Sequence, residues 1–128
     1  DDYPYRGECP GGNGVDKWNY YKCQCTSFVA WRINQKLDIK FHNRYKGQHW
    51  GNANTWDEAG KESEGVTVNK TPKVNSVAQW NKGLGHVAWV TKVEGDYVHV
   101  EDYNYKHEDY GTRKVKNNTF DNYIHLRK

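Results

Sequence analysis

The sequence predicts an α+β fold, with N-terminal helices packed on an antiparallel β-sheet, and three observations predict it. Apolar residues recur at helical spacing only in the first half of the chain, while short runs rich in Val, Tyr and Trp fill the second half. Between two of those runs, Glu94-Gly95-Asp96 supplies the turn of a hairpin. Helices first and antiparallel strands second is the pattern of the class that segregates its helices to one side of the sheet. A length of 128 residues suits one domain, so 1–128 is read as a single unit and expected to be a piece of a larger modular protein.

Pro4, Gly7, Pro10, Gly11, Gly12 and Gly14 make residues 1–19 an irregular arm. A helix is expected over 26–36, where Phe28, Val29, Ile33 and Trp31 gather on one side behind small polar residues, and Cys25 stands at its N-terminus. Residues 38–54 show no period and read as loop. Thr55-Trp56-Asp57-Glu58 has the Thr-x-x-Glu layout of a capping box, opening a short helix that ends near Gly60. Strands are expected over 74–80, 86–93, 97–105 and 123–126.

Composition excludes several functions. Only 35% of residues are hydrophobic but 15% are aromatic, so large amphipathic rings supply the missing aliphatic volume. A net charge of +3, from 19 basic and 16 acidic residues, is too small and too dispersed for a nucleic-acid partner. No apolar run approaches the roughly 18 residues of a membrane span, so no membrane insertion is expected. The start Asp1-Asp2-Tyr3-Pro4 lacks the layout of a secretion signal.

Cys9, Cys23 and Cys25 make an odd count, which in an oxidising compartment leaves one thiol free. Cys23 and Cys25 are too close to pair without a strained ring, so Cys9 with Cys23 is the expected disulfide. Three reduced thiols and a Cys-x-Cys metal half-site are the alternatives.

A thiol at a helix N-terminus gains from the positive end of the backbone dipole, which makes Cys25 a candidate nucleophile, although a lone helical cysteine is more often a small buried hydrophobe. Its base must come from six histidines. His86 is the candidate: it follows Gly83-Leu84-Gly85 and opens the apolar run Val87-Ala88-Trp89-Val90, a rim position on a strand fixed in the core. His42, His49, His107 and His125 sit in polar segments or near the C-terminus and are expected to be solvated. Strand alternation puts Val98, Val100, Asp102 and Asn104 on one side of the next strand, and His99, Glu101, Tyr103 and Tyr105 on the other. With Val98 and Val100 facing the core and the His86 strand, Asp102 becomes the orienting acid and Asn104 its helper. Glu101 takes over should a bulge shift the register.

Five stretches, in this order, resemble the CHAP domain, the cysteine, histidine-dependent amidohydrolase/peptidase module of phage endolysins and bacterial autolysins. They are Gln24-Cys25-Thr26-Ser27-Phe28-Val29, Trp50-Gly51-Asn52-Ala53 with Trp56, Thr71-Pro72-Lys73-Val74, Gly85-His86-Val87-Ala88-Trp89-Val90 and Asp102-Tyr103-Asn104-Tyr105. The resemblance implies a papain-like fold and a peptidoglycan hydrolase that needs no cofactor. It implies Cys25 as nucleophile, His86 as base and then acid, the acid and Asn104 orienting His86, and Gln24 with the Cys25 amide as oxyanion hole. The family's acid is usually Glu, whereas Asp102 stands in its place here. Some members bind calcium just before the nucleophile, but this chain offers only Asp16 there, so no metal site is expected.

Trp18, Tyr20 and Trp50 are candidates for a substrate groove, with packing the competing role. The cut bond is either the amide joining muramic acid to L-Ala or a peptide bond in the stem or cross-bridge. A monomer acting on the cell wall is expected, tethered to a separate wall-binding domain and either secreted or released at phage lysis. The rival readings are a non-catalytic wall-binding module and a metallohydrolase, the latter lacking any ligand-spaced histidine pair.

Overall fold

The computed structural model describes residues 2–9, 14–103 and 110–126. Helix α1 (Cys25–Leu37) stops at Asp38, whose left-handed backbone (φ 54°) turns the chain away. Its buried face carries Phe28, Val29, Ala30 and Ile33 and packs on the third and fourth of six strands. Helix α2 (Trp56–Glu62) is short. It begins at Thr55, but no capping box forms: the Thr55 hydroxyl donates to the Asn52 carbonyl (2.7 Å) and accepts from the Gly51 amide (3.0 Å). That hydroxyl closes the preceding turn instead.

The strands are β1 (Thr67–Asn69), β2 (Val77–Trp80), β3 (His86–Glu94), β4 (Tyr97–Tyr103), β5 (Tyr110–Lys116) and β6 (Asn122–His125), all antiparallel in the order β1-β6-β2-β3-β4-β5. The molecule is α+β, as its sequence predicts. Glu94 pairs with Tyr97 across a two-residue turn in which Gly95 takes a positive φ of 58°. Residues 74–76 precede β2 rather than joining it, because Asn75 turns the chain at φ 67°. The expected strand end at Tyr105 lies outside the described residues.

Two buried clusters lie on the two faces of the sheet. Val77, Val87, Trp89, Tyr103 and Ile124 meet α1 residues such as Phe28 and Ile33 on one face. Their alternate neighbours Ala78, Ala88, Val90, Val98, Val100 and Tyr123 close with Phe120 on the other. Val98 and Val100 therefore sit in the smaller core, away from α1. Glu101 and Tyr103 point to the helix.

Candidate active site

Cys25 is the first residue of α1, and the loop before it is fixed by a chain of hydrogen bonds. The Cys23 amide donates to the Tyr3 hydroxyl (3.1 Å), Tyr3 meets Ser27 Oγ at 2.5 Å, and Ser27 donates to the Asp16 carboxylate. Asp16 in turn accepts from the amides of Trp18 (2.8 Å) and Tyr20 (2.9 Å). Burial pushes the Asp16 carboxyl up, against the downward pull of those hydrogen bonds. Asp16 thus organises its own loop. Cys9 and Cys23 are disulfide-bonded, which ties the N-terminal arm to the residue two before Cys25 and leaves Cys25 as a free thiol.

His86 opens β3 directly after Gly85, where the chain takes φ 83°. A side chain at Gly85 would place its Cβ 2.3 Å from the Asn54 amide nitrogen, so only glycine lets this loop press on the backbone ahead of α2. Asn54 clamps the contact, its amide donating to the Leu84 carbonyl and its side chain to that of Gly83. The Trp80 ring lies 5.0 Å from the imidazole. His86 is thereby held at the rim by backbone on one side and an indole on the other.

The imidazole Nε2 is 2.8 Å from Asp102 Oδ2, and Cys25 lies near enough to bear on the ring's charge. Burial alone would weaken the ring's hold on a proton. The hydrogen bonds and charges of Asp102 and Cys25 outweigh it and push His86 up to about 9. Asp102 is 1% exposed and also accepts from Arg113 at 2.7 Å. Glu101 is engaged elsewhere: Arg32 of α1 grips it through two nitrogens at 2.5 and 2.9 Å, and the Tyr110 hydroxyl donates to it at 2.6 Å. The acid facing His86 is Asp102. Asn104 lies outside the described residues.

Cys25 and His86 share a cleft of about 480 Å³ with Gln24. Two groove candidates require correction. Trp50 is fully buried, its indole donating to the Tyr45 carbonyl at 2.9 Å, and Trp18 is buried in the same core. Tyr20 lines the cleft but is itself buried, with its hydroxyl donating to the Trp50 carbonyl at 2.6 Å. The exposed walls are Tyr21 and Leu84, 71% and 74% accessible, with Asn43, His49 and Asn52 between them. Sequence reasoning set the Asn52 stretch beside the cleft but missed Tyr21 and Leu84 as its walls. Tyr21 pairs with Val15 in an isolated bridge and is exposed, while its neighbour Tyr20 is buried, a division that two adjacent tyrosines do not reveal in the sequence. Among the described residues no group of three or more His, Cys, Asp or Glu is placed to hold a metal ion.

A thiol and an imidazole converging where a helix meets an antiparallel sheet define the papain-like class of α+β folds. Within that class the chain belongs to the CHAP domain family, whose model matches residues 15–104. It is 40% identical over 90 residues to staphylococcal secretory antigen SsaA of Staphylococcus aureus (strain NCTC 8325 / PS 47), covering 69% of this chain and 31% of that protein. It is 35% identical over 108 residues to SsaA of Staphylococcus epidermidis, covering 77% and 38%. The chain thus spans about a third of the length of these curated relatives. The crystal structure of Ly7917 with the hydrolyzing product of MDP shares the fold, with a TM-score of 0.56 at 17% identity over 80% of this chain and 53% of that one.

Proposed function

We propose that this domain is a peptidoglycan hydrolase that cuts an amide bond in the peptide portion of the wall, with Cys25 as nucleophile. The observation that carries the reading is that Cys25 and His86 line one cleft, with His86 Nε2 bonded behind it to the buried Asp102. Membership of the CHAP family supports the reaction class, and the MDP product held by Ly7917 supports the substrate class. The secretory antigens among its relatives support action outside the cell, at the wall. The share of those relatives that it covers fits a catalytic unit tethered to a separate wall-binding region.

In this reading the Cys25 sulfur attacks the scissile carbonyl with its proton held on His86. The tetrahedral oxyanion is taken by the Cys25 amide, unpaired within the first turn of α1, and by the Gln24 side chain. His86 then gives its proton to the leaving amine, and afterwards draws one from the water that clears the acyl-enzyme. Asp102 keeps the ring turned so that one nitrogen serves the sulfur throughout.

Replacement of Cys25 by Ser tests the proposal. Hydrolysis of purified walls should fall by at least about 10³-fold, with the circular dichroism spectrum and wall binding retained. Wild-type hydrolysis by C25S would refute cysteine catalysis. Mass spectrometry of the fragments released by the unmodified protein assigns the bond, since a free muramyl carboxyl with a new L-Ala amino terminus means amidase, and new termini within the stem or cross-bridge with the muramyl–L-Ala amide intact mean endopeptidase.

A further inference from the structure

We propose that Arg113 is a positioning residue for His86, holding Asp102 by the same oxygen that faces the imidazole and so fixing the direction of the carboxylate and sharing its charge. This rests on the catalytic reading of Cys25 and His86 given above. Arg113 lies in β5, beyond the residues 15–104 that match the family model, so the matched family pattern does not include it.

The geometry is a cross-strand diagonal. Asp102 of β4 pairs with Gly111 of β5, and Val100 pairs with Arg113, so Asp102 and Arg113 are diagonal neighbours on one face. A Cβ at Gly111 would meet Asp102 Oδ1 at 3.5 Å, an ordinary contact, so the space beside the carboxylate is bordered here by backbone alone. Across it the guanidinium reaches Oδ2 at 2.7 Å while His86 Nε2 reaches the same atom at 2.8 Å. Two donors on one buried oxygen fix its direction more firmly than either does alone. The guanidinium also sits 5.9 Å from the Trp80 ring, which itself packs on His86. Arg113, Trp80 and His86 therefore border one another around Asp102.

Sharing the oxygen has a chemical consequence. A carboxylate given wholly to the imidazole strengthens its grip on a proton, and that proton has to reach the leaving amine. A permanent cation on the same oxygen draws off part of that charge. Among the described residues, Cys25 from α1 and Asp102 from β4 bear on His86, as does Arg113 from β5 through Asp102; β2 contributes Trp80, which is uncharged.

The test is an NMR titration of His86 in Arg113→Met and Arg113→Lys, beside kinetics on purified walls. In R113M, His86 should titrate higher than in the unmodified protein by about 0.5–1 pH unit, and kcat should fall about tenfold with KM within about twofold. R113K, a cation without the planar fork, should return both values most of the way, and Arg113→Gln, which is uncharged, carries the titration test should R113M not fold. An unmoved or lowered His86 titration in folded R113M or R113Q overturns the proposal, as does a loss of rate that R113K leaves unrepaired. The titration needs no substrate, so its result stands apart from whether the cleft cuts peptidoglycan, which C25S decides.

Discussion

Asp102 and Glu101 are adjacent in sequence and serve opposite sides of the sheet, one the imidazole and the other the helix. Their replacement should separate catalysis from stability. Asp102→Asn keeps the shape but loses the charge beside His86, and should lower turnover per folded molecule by about 10²–10⁴-fold. Glu101→Gln leaves turnover per folded molecule near normal but strips Arg32 of its buried partner, at a cost of about 3 kcal/mol. Urea midpoints and wall-hydrolysis rates on both variants check this, and E101Q losing more activity than D102N would reverse the assignment. Strand alternation made this pair legible in the sequence, since Asp102 shares its side with Val98 and Val100. The indoles of Trp18 and Trp50 were not legible in the same way, because the same ring suits a core or a groove and only tertiary contacts decide.

Among the elements, α1 and the β3–β4 hairpin were readable because each carries its own period or turn. Strands β1 and β5 were not. β1 is three residues long, and β5, at the sheet edge, is crowded with Arg113, Lys114 and Lys116, which conceal its pairing with β4. The price of missing β5 was missing Arg113. The approach of Gly85 to the backbone ahead of α2 is likewise invisible in one dimension, yet it sets where β3 begins. Gly85→Ala combines a positive φ with a Cβ driven into Asn54, and should cost at least about 2 kcal/mol while displacing His86. Thermal unfolding and the hydrolysis rate of the folded fraction measure both effects; an unchanged melting temperature would show that the loop yields freely.

For the molecule as a whole, the proton on His86 couples folding to pH. The folded domain binds it more tightly than the unfolded chain, the value rising from 6.5 to about 9 through the bonds to Asp102 and Cys25 that overcome burial. A raised value stabilises while the proton is bound in both states, so the contribution is complete below pH 6.5 and drains away as the pH climbs through about 9. Urea midpoints at about pH 6 and about pH 9.5 should show the loss, and His86→Gln should flatten it. A slope equally steep in that variant would place its origin elsewhere.

The bridge between Cys9 and Cys23 also bears on how the nucleophile endures. Two of the three sulfurs in residues 1–128 are locked to each other, so Cys25 has no reduced thiol in this domain with which it could pair. Its oxidation must then come from a peroxide, a small-molecule disulfide or a disulfide of a second molecule. The mixed disulfides among those products are open to reversal by exchange. The bond that anchors the arm thereby also keeps the attacking sulfur available.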